Sequence, residues 1–179
     1  MAELAITLRL PLPREVVWRR LWSASRHTAS IPLTVVTSSA PEGRLDVDGA
    51  LVRARTTVGP WGFDDDMETV AVATPEGDGP WQCRIVKRGK VVHGAIDAVA
   101  RTVELPGGRS GTELRWRQRI TVTGMPRVAD PLTAAVAWVA YRTAISRIVS
   151  GEPDARHRRC RPPLTSRGET AHAVRGRRR

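Results

Sequence analysis

His27 is the candidate for acid–base chemistry in this sequence, because an unperturbed imidazole titrates near neutral pH. It lies in a short helical segment that must end before Pro32, since the residue preceding a proline avoids helical angles. Two interpretations stay open: His27 moves a proton, or it is an ordinary surface histidine. No second acid–base pair is predicted, because His93 and Asp97 share a strand face four residues apart, too far for a direct hydrogen bond.

No metal or phosphate site is predicted. The acidic run Asp64–Asp66, followed by Glu68, lacks the glycine and the alternating ligand positions of a calcium loop, so we interpret it as the solvated start of a strand. The two cysteines, Cys83 in a strand-like run and Cys160 near the C-terminus, form neither a disulfide framework nor a pair at metal-ligand spacing. The sequence therefore predicts no metal and no cofactor.

Aromatic residues are the first candidates for binding a ligand. Six of the eight aromatic residues are Trp, and a Trp is costly to bury unless its N–H finds a partner or it lines a partly open pocket. In the run 112–123, Trp116 and Gln118 lie on the face opposite the charged residues. The Gln118 amide therefore meets either a ligand or neighbouring backbone in a filled core. Trp61, beside Phe63 in a Gly-Pro-Trp-Gly turn, is either a lid over a pocket or an anchor packed on the domain.

Five further residues complete the set of candidate ligand contacts. Each of them either lines a pocket or belongs to an ordinary core, and the sequence leaves both interpretations open. They are Met67, Cys83 and Ile96 in the strand-rich region, and Trp138 and Tyr141 on the last helix.

Hydrophobic periodicity predicts the elements that must position these residues. Residues 4–10 alternate apolar and polar side chains, which is typical of a half-buried strand. Two short helices follow between Pro13 and Pro32. Over residues 33–124, clusters of Gly and Pro recur between β-rich runs, which predicts about six more strands in an antiparallel meander.

A long helix is predicted at the end of the domain. It begins at the Asp-Pro pair of residues 130–131, where Asp caps the helix and Pro suits its first turn, and it ends before Gly151. Between Pro131 and Tyr141 it carries no charged residue. A helix that is apolar around most of its girth must be enclosed, so we expect a curved sheet to wrap around it.

This order of elements resembles the helix-grip fold of the START-like SRPBCC superfamily, over about residues 3–150. Three segments resemble its bacterial polyketide cyclase/dehydrase-type branch: Pro13–Trp18, Arg26–Pro32 and Glu104–Trp116. The resemblance implies an α+β fold in which about seven antiparallel strands curve around the C-terminal helix. It also implies a pocket for a small apolar or aromatic ligand, polyketide- or lipid-like, between sheet and helix, with His27 near its entrance. Members range from carriers to enzymes, so a ligand-binding protein and a cyclase or dehydratase are both open.

The net charge of +11 is uneven, with +5 in residues 1–150 and +6 in the last 29 residues. We predict one ligand-binding domain at 1–151 and a disordered arginine-rich tail at 152–179, which has too few apolar residues to offset its ordering entropy. The tail could hold nucleic acid or an anionic surface unspecifically, or it is a solubilising tail in a chain with 27 Arg and 2 Lys. Without a signal core or a run of about 20 apolar residues, we expect a soluble, cytoplasmic protein with no transmembrane segment.

Overall fold

The computed structural model describes residues 2–124 and 130–151, and it has the predicted order of elements. The predicted tail at 152–179, with Cys160, lies outside the described residues. A short 3₁₀ turn at Pro41–Gly43 follows the second strand. The strands and α-helices are, in chain order, β1 (Ala2–Leu10), α1 (Arg14–Leu21), α2 (Ala24–Ser30), β2 (Thr34–Ser38), β3 (Leu51–Val58), β4 (Trp61–Ala73), β5 (Trp81–Arg88), β6 (Val92–Leu105), β7 (Arg109–Val122) and α3 (Asp130–Ser150).

The seven strands form one curled antiparallel sheet in the order β1-β7-β6-β5-β4-β3-β2. Consecutive strands from β2 to β7 are neighbours, as expected for a meander joined by tight turns. The last strand, β7, closes onto β1, so the chain start lies beside the final strand. Helix α3 packs against β1, α1 and α2. This is an α+β helix-grip fold, which confirms the predicted fold class.

Period-two alternation separates the two faces of the sheet. On β7, Leu114, Trp116 and Gln118 are buried, whereas Arg115 and Arg117 are exposed. Strand β1 follows the same rule, and its register with β7 places apolar side chains of both strands on the inner face. The inner face of the sheet is therefore the surface against which the helices pack.

Two arginines from the short helices hold the end of α3. Arg20 of α1 donates a hydrogen bond of 2.7 Å to the carbonyl of Val149, and Arg26 of α2 donates to the carbonyls of Ile148 and Gly151 at 3.2 and 2.9 Å. The last carbonyls of a helix lack partners inside the helix, and cations there also interact favourably with the helix dipole. These contacts fix the C-terminal half of α3 over the inner face of the sheet.

The expectation that the sheet encloses α3 is wrong for part of its girth. Trp138 and Val139 are 40% and 59% exposed, whereas Ile145, Ile148 and Val149 are buried. A sheet with open edges covers one side of a helix, so an uncharged sequence does not by itself require burial all around. No helix within the described ranges is long and apolar enough to cross a membrane.

Candidate ligand-binding site

A small pocket lies between the inner face of the sheet and the C-terminal half of α3. We call it the inner pocket, and its volume is about 80 Å³. Thirteen of its seventeen described lining residues are apolar. The apolar residues come from strands β2 to β7, from α3 and from the segments that follow α1, α2 and the 3₁₀ turn, and they are Trp22, Ile31, Val36, Leu45, Val52, Ala54, Met67, Ile85, Ile96, Trp116, Ala144, Ile145 and Ile148. The polar residues are His27, Asp65, Lys87 and Tyr141.

A second, more open pocket adjoins the first. This outer pocket has a volume of about 390 Å³ and is bordered by Phe63, Val92 and Ile120, among others. Five residues border both pockets, and these are Ile31, Ala54, Asp65, Tyr141 and Ala144. They form the boundary across which a molecule longer than the inner pocket would extend.

Asp65 and Lys87 form a buried ion pair in the wall of the inner pocket. Nζ of Lys87 donates to Oδ2 of Asp65, and it also lies 3.6 Å from the sulfur of Met67. The side chains of Lys87 and Asp65 are 1% and 13% exposed. Burial works to lower the pKa of Lys87, but the neighbouring Tyr141 and Asp65, together with the hydrogen bond to Asp65, outweigh it and raise the pKa. Lys87 is therefore a protonated donor and not a free amine nucleophile.

His27 lies in the pocket wall and not on an open surface. Its Nε2 lies 2.7 Å from the carbonyl oxygen of Leu21, which ends α1 and has no partner inside that helix. Burial lowers the pKa of His27, and the hydrogen bond to Leu21 opposes this effect only in part. The site therefore contains a neutral imidazole at neutral pH.

The structure brings five of the nine predicted ligand contacts to the two pockets, in addition to His27. Four of them line the inner pocket, and Phe63 lines the outer one. The four are Met67, Ile96, Trp116 and Tyr141, of which Tyr141 borders both pockets. Their role in ligand binding stays a prediction.

Two candidates lie in the core beside the pockets. Cys83 is 3% exposed, and burial, together with Asp46 and Asp48, raises the pKa of its thiol, which makes it an inert core residue. Gln118 is fully buried and its Oε1 accepts a hydrogen bond of 3.1 Å from Nε1 of Trp116. This amide therefore bonds to a neighbouring side chain, which neither of the sequence interpretations included.

Two other candidates lie outside the pockets. Trp61 is the first residue of β4, paired with Val58, and its side chain is 79% exposed; the turn itself consists of residues 59–60. It is therefore neither packed as an anchor nor placed in the wall of either pocket. Trp138 is 40% exposed, and its Nε1 donates to the carbonyl of Ala5 on β1 at 3.1 Å. Trp138 borders neither of these two pockets, and its role in ligand binding stays a prediction.

The polar residues Asp65 and Lys87 of the pocket wall were not among the predicted candidates, although the period-two alternation of their strands indicates that they face inward. Asp65 lies two residues before Met67, and Lys87 lies two residues after Ile85, so each shares a face with a residue of the inner pocket. The interpretation of Asp64–Asp66 as a solvated strand start is wrong for its middle member. Asp64 and Asp66 point outward and pair with arginines of β3, whereas Asp65 points inward.

Among the described residues, no group of three His, Cys, Asp or Glu side chains is placed to hold a metal ion. The polar groups of the inner pocket comprise one carboxylate, one ammonium, one imidazole and one phenol. This combination can orient a polar group of a ligand by hydrogen bonds and can exchange a proton with it.

Neither a family model nor a curated protein matches this chain. Solved structures share its fold. The crystal structure of Ara h 8.0201 is 9% identical, with a TM-score of 0.52 over 83% of this chain and 97% of that chain. Protein CV1439 from Chromobacterium violaceum is 12% identical, with a TM-score of 0.55 over 86% of this chain and 100% of that chain. At these identities the likeness shows the helix-grip fold alone and does not extend to the polyketide cyclase branch.

Proposed function

We propose that this protein binds a small, predominantly apolar or aromatic molecule in the inner pocket. The observation that carries the proposal is the composition of the wall, in which thirteen apolar residues surround four polar ones. Ligand pockets are typically apolar concavities with a few placed polar groups. Trp22 and Trp116 in the wall favour an aromatic ring, because aromatic pairs are more favourable than their buried area alone predicts.

The size of the pockets limits the ligand. The inner pocket of about 80 Å³ is smaller than the roughly 300–1,000 Å³ of pockets that hold drug-sized ligands. A single ring or a short chain suits this pocket. A polyketide- or lipid-like ligand, the class that the superfamily resemblance implies, would also occupy the outer pocket beyond Tyr141 and Ala144.

A substitution at the boundary of the two pockets tests the proposal. We expect the full-length protein to bind the neutral fluorophore 1-aminoanthracene saturably, with an increase in its fluorescence. Ala144→Phe places a ring in the pocket and should weaken binding about tenfold or more, whereas Thr143→Phe, on the exposed side of the same helix, should leave it unchanged. Equal binding by both variants would place the fluorophore elsewhere on the protein and contradict the proposal.

A natural ligand is sought by comparing native and denaturing mass spectra of the full-length protein. We expect an additional mass under native conditions that is lost on denaturation and is reduced in Ala144→Phe. The identity of the released molecule then shows whether it extends into the outer pocket.

A second candidate function is catalysis of a dehydration or cyclisation, and the observation that favours it is the convergence of His27, Asp65, Lys87 and Tyr141 on one pocket. In a dehydration, a base removes the α-proton of a β-hydroxyacyl thioester, and an acid protonates the hydroxyl, which leaves as water. The neutral imidazole of His27 suits the base, and the protonated Lys87 or the phenol of Tyr141 suits the acid.

This second candidate is tested with a β-hydroxyacyl thioester, whose unsaturated product is followed by its absorbance. We expect turnover by the native chain and by His93→Gln, an exposed histidine, and loss of turnover in His27→Gln. Binding of the thioester without turnover would leave the carrier function and exclude this reaction.

A further inference from the structure

We infer that the ligand of the inner pocket is a neutral, largely apolar molecule with a hydroxyl group, and that this hydroxyl donates a hydrogen bond to Asp65. The inference rests on the proposed function and adds the chemical class and the orientation of the ligand. Asp65 borders both pockets, so the hydroxyl would lie at the boundary between them.

Only one of the two oxygens of the Asp65 carboxylate has a hydrogen-bond donor among the described residues. Its Oδ2 accepts from Lys87, but its Oδ1 is buried and has no hydrogen-bond partner among the described residues. A buried carboxylate oxygen without a donor is costly, because the water that solvated it has been removed. A ligand that supplies a donor at this position removes that cost.

The two charges in the wall of the inner pocket favour a neutral ligand. The wall contains one positive group, Lys87, and one negative group, Asp65, so the pair is neutral as a whole. An anionic ligand would be repelled by Asp65 and would leave Oδ1 without a donor. A cationic ligand would be repelled by Lys87 within the same apolar pocket. A neutral donor avoids both repulsions.

Among neutral groups, a hydroxyl suits this ion pair because it both donates and accepts a hydrogen bond. Lys87 carries three N–H donors, of which one goes to Asp65 and one is near the sulfur of Met67. A hydroxyl donates to Asp65 and also accepts from an ammonium, whereas an ether or a ketone only accepts. Hydrogen bonds from O–H to a carboxylate are also among the short, strong ones.

The apolar lining fixes the orientation of the remaining part of the molecule. Trp22 and Trp116 stack with ring centroids 5.9 Å apart, and both line the inner pocket. The ring or chain of the ligand would therefore lie against these indoles, with its hydroxyl directed toward Asp65.

The experiment compares two probes of nearly equal shape, 2-naphthol and 2-methoxynaphthalene, by calorimetry on the full-length protein near neutral pH. Only 2-naphthol has an O–H donor. Desolvation disfavours the hydroxyl, so a preference for 2-naphthol indicates a hydrogen bond in the pocket if the double variant Asp65→Leu/Lys87→Met loses it; a preference due to exclusion of the extra methyl group would persist. A hydrogen bond to a charged group corresponds to a preference of about tenfold or more, which we expect in the native chain.

The double variant Asp65→Leu/Lys87→Met identifies the hydrogen-bonding partner. Replacing both members of a buried ion pair by apolar residues is commonly neutral or stabilising, whereas removing one member leaves an unpaired buried charge. The double variant should bind 2-methoxynaphthalene at least as well as the native chain and should lose the preference for 2-naphthol. Asp66→Asn, the outward-facing neighbour, should keep the preference.

Each outcome has a distinct meaning. Equal affinity of the native chain for the two probes, as expected if water satisfies Oδ1, overturns the inference and leaves the proposed function intact. A preference that persists in the double variant overturns the assignment to Asp65. Failure of both probes to bind the native chain counts against the proposed function itself, and the inference fails with it. The comparison of probes on the native chain requires no variant to fold.

Discussion

Nε2 of His27 lies 2.7 Å from the carbonyl oxygen of Leu21, the residue that ends α1. Because a carbonyl oxygen only accepts, Nε2 must carry the hydrogen, and the lone pair of the neutral ring is on Nδ1. His27 thus closes the C-terminus of one helix while its ring forms part of the pocket wall. A second proton on this ring would place a positive charge in the pocket wall, where partial burial disfavours it.

We expect the free energy of unfolding to decrease as the pH falls below 6.5, the ordinary pKa of histidine. Burial lowers the pKa of His27 in the folded protein, so between its lowered pKa and 6.5 the unfolded chain binds more protons than the folded one. Stability therefore rises with pH in this window and is constant above it. Urea denaturation at about pH 5, 6 and 7 measures the change.

The control for this prediction is a second histidine. His27→Gln should remove most of the change in stability between about pH 5 and 7, whereas the exposed His93→Gln should retain it. A native-like pH dependence in His27→Gln would show that another group is responsible.

A second prediction concerns Glu113 on the outer face of β7. Its carboxylate accepts hydrogen bonds from Arg9, Arg101 and Arg115, whose side chains cover it so that it is only 3% exposed. Burial works to raise the pKa of Glu113, but the three arginines outweigh it and lower the pKa. This contribution to stability is present above 4.5, the ordinary pKa, and is lost as the pH falls through the lowered folded pKa.

Glu113→Gln should therefore destabilise the protein at neutral pH by about 1–2 kcal/mol, a modest loss because the arginines are roughly half exposed and regain water. The loss should shrink when both proteins are compared by urea denaturation near pH 3. Glu104→Gln, an exposed residue of β6, should change little at either pH. Equal losses in the two variants would contradict this account.

Much of the fold could be predicted because the signals are local. Alternation along β1 and β7, prolines at 13 and 32, and recurrent turn clusters determine the elements and their inward faces. The direction of residues on α3 could not be predicted in the same way. Helix α3 has no charged residue between Pro131 and Tyr141, so the sequence did not distinguish the partly exposed Trp138 from Tyr141 in the pocket wall.

The position of the polar residues Asp65 and Lys87 in the pocket wall was partly predictable. Face alternation places Asp65 beside Met67 and Lys87 beside Ile85, but three consecutive aspartates suggested a uniformly solvated segment. In the structure the three aspartates have different partners. Asp64 and Asp66 pair with arginines on the outer face, and Asp65 pairs with Lys87 on the inner face. Pairing between β4 and β5 depends on strand register, which composition does not specify.

A third prediction separates buried from exposed tryptophans. Trp22 is 1% exposed and contacts two other indoles, stacking on Trp116 and meeting Trp18 edge-on at a centroid distance of 5.6 Å. Trp22→Ala should cost about 3–5 kcal/mol in the free energy of unfolding, because it removes this packing and leaves a cavity. Trp61→Ala, at a side chain that is 79% exposed, should stay within about 0.5 kcal/mol. Urea denaturation of both variants checks the contrast, and comparable losses would refute it.

A fourth prediction uses two glycines with positive φ. Gly94 has φ +141, and a Cβ built there would lie 1.9 Å from the carbonyl oxygen of Arg119. Gly107 has φ +84 with no heavy atom within 4 Å of such a Cβ. Gly107→Ala should therefore cost only the backbone strain, about 1–2 kcal/mol, whereas Gly94→Ala should cost clearly more, since β6 and β7 must separate to relieve the clash.

The Gly94→Ala substitution should also affect the binding site, because Gly94 is paired with a residue of the pocket wall. Gly94 is paired with Lys87 on β5, so a shift of β6 at this position would move the strand that supports the ion pair. We expect folded Gly94→Ala protein to bind 1-aminoanthracene more weakly than Gly107→Ala protein when the two are compared at a urea concentration at which both are native. Gly107 is the matched control, because it lies in the turn after β6 and outside the close contact of β6 and β7. Equal affinity of the two variants would show that the pocket wall does not depend on that contact.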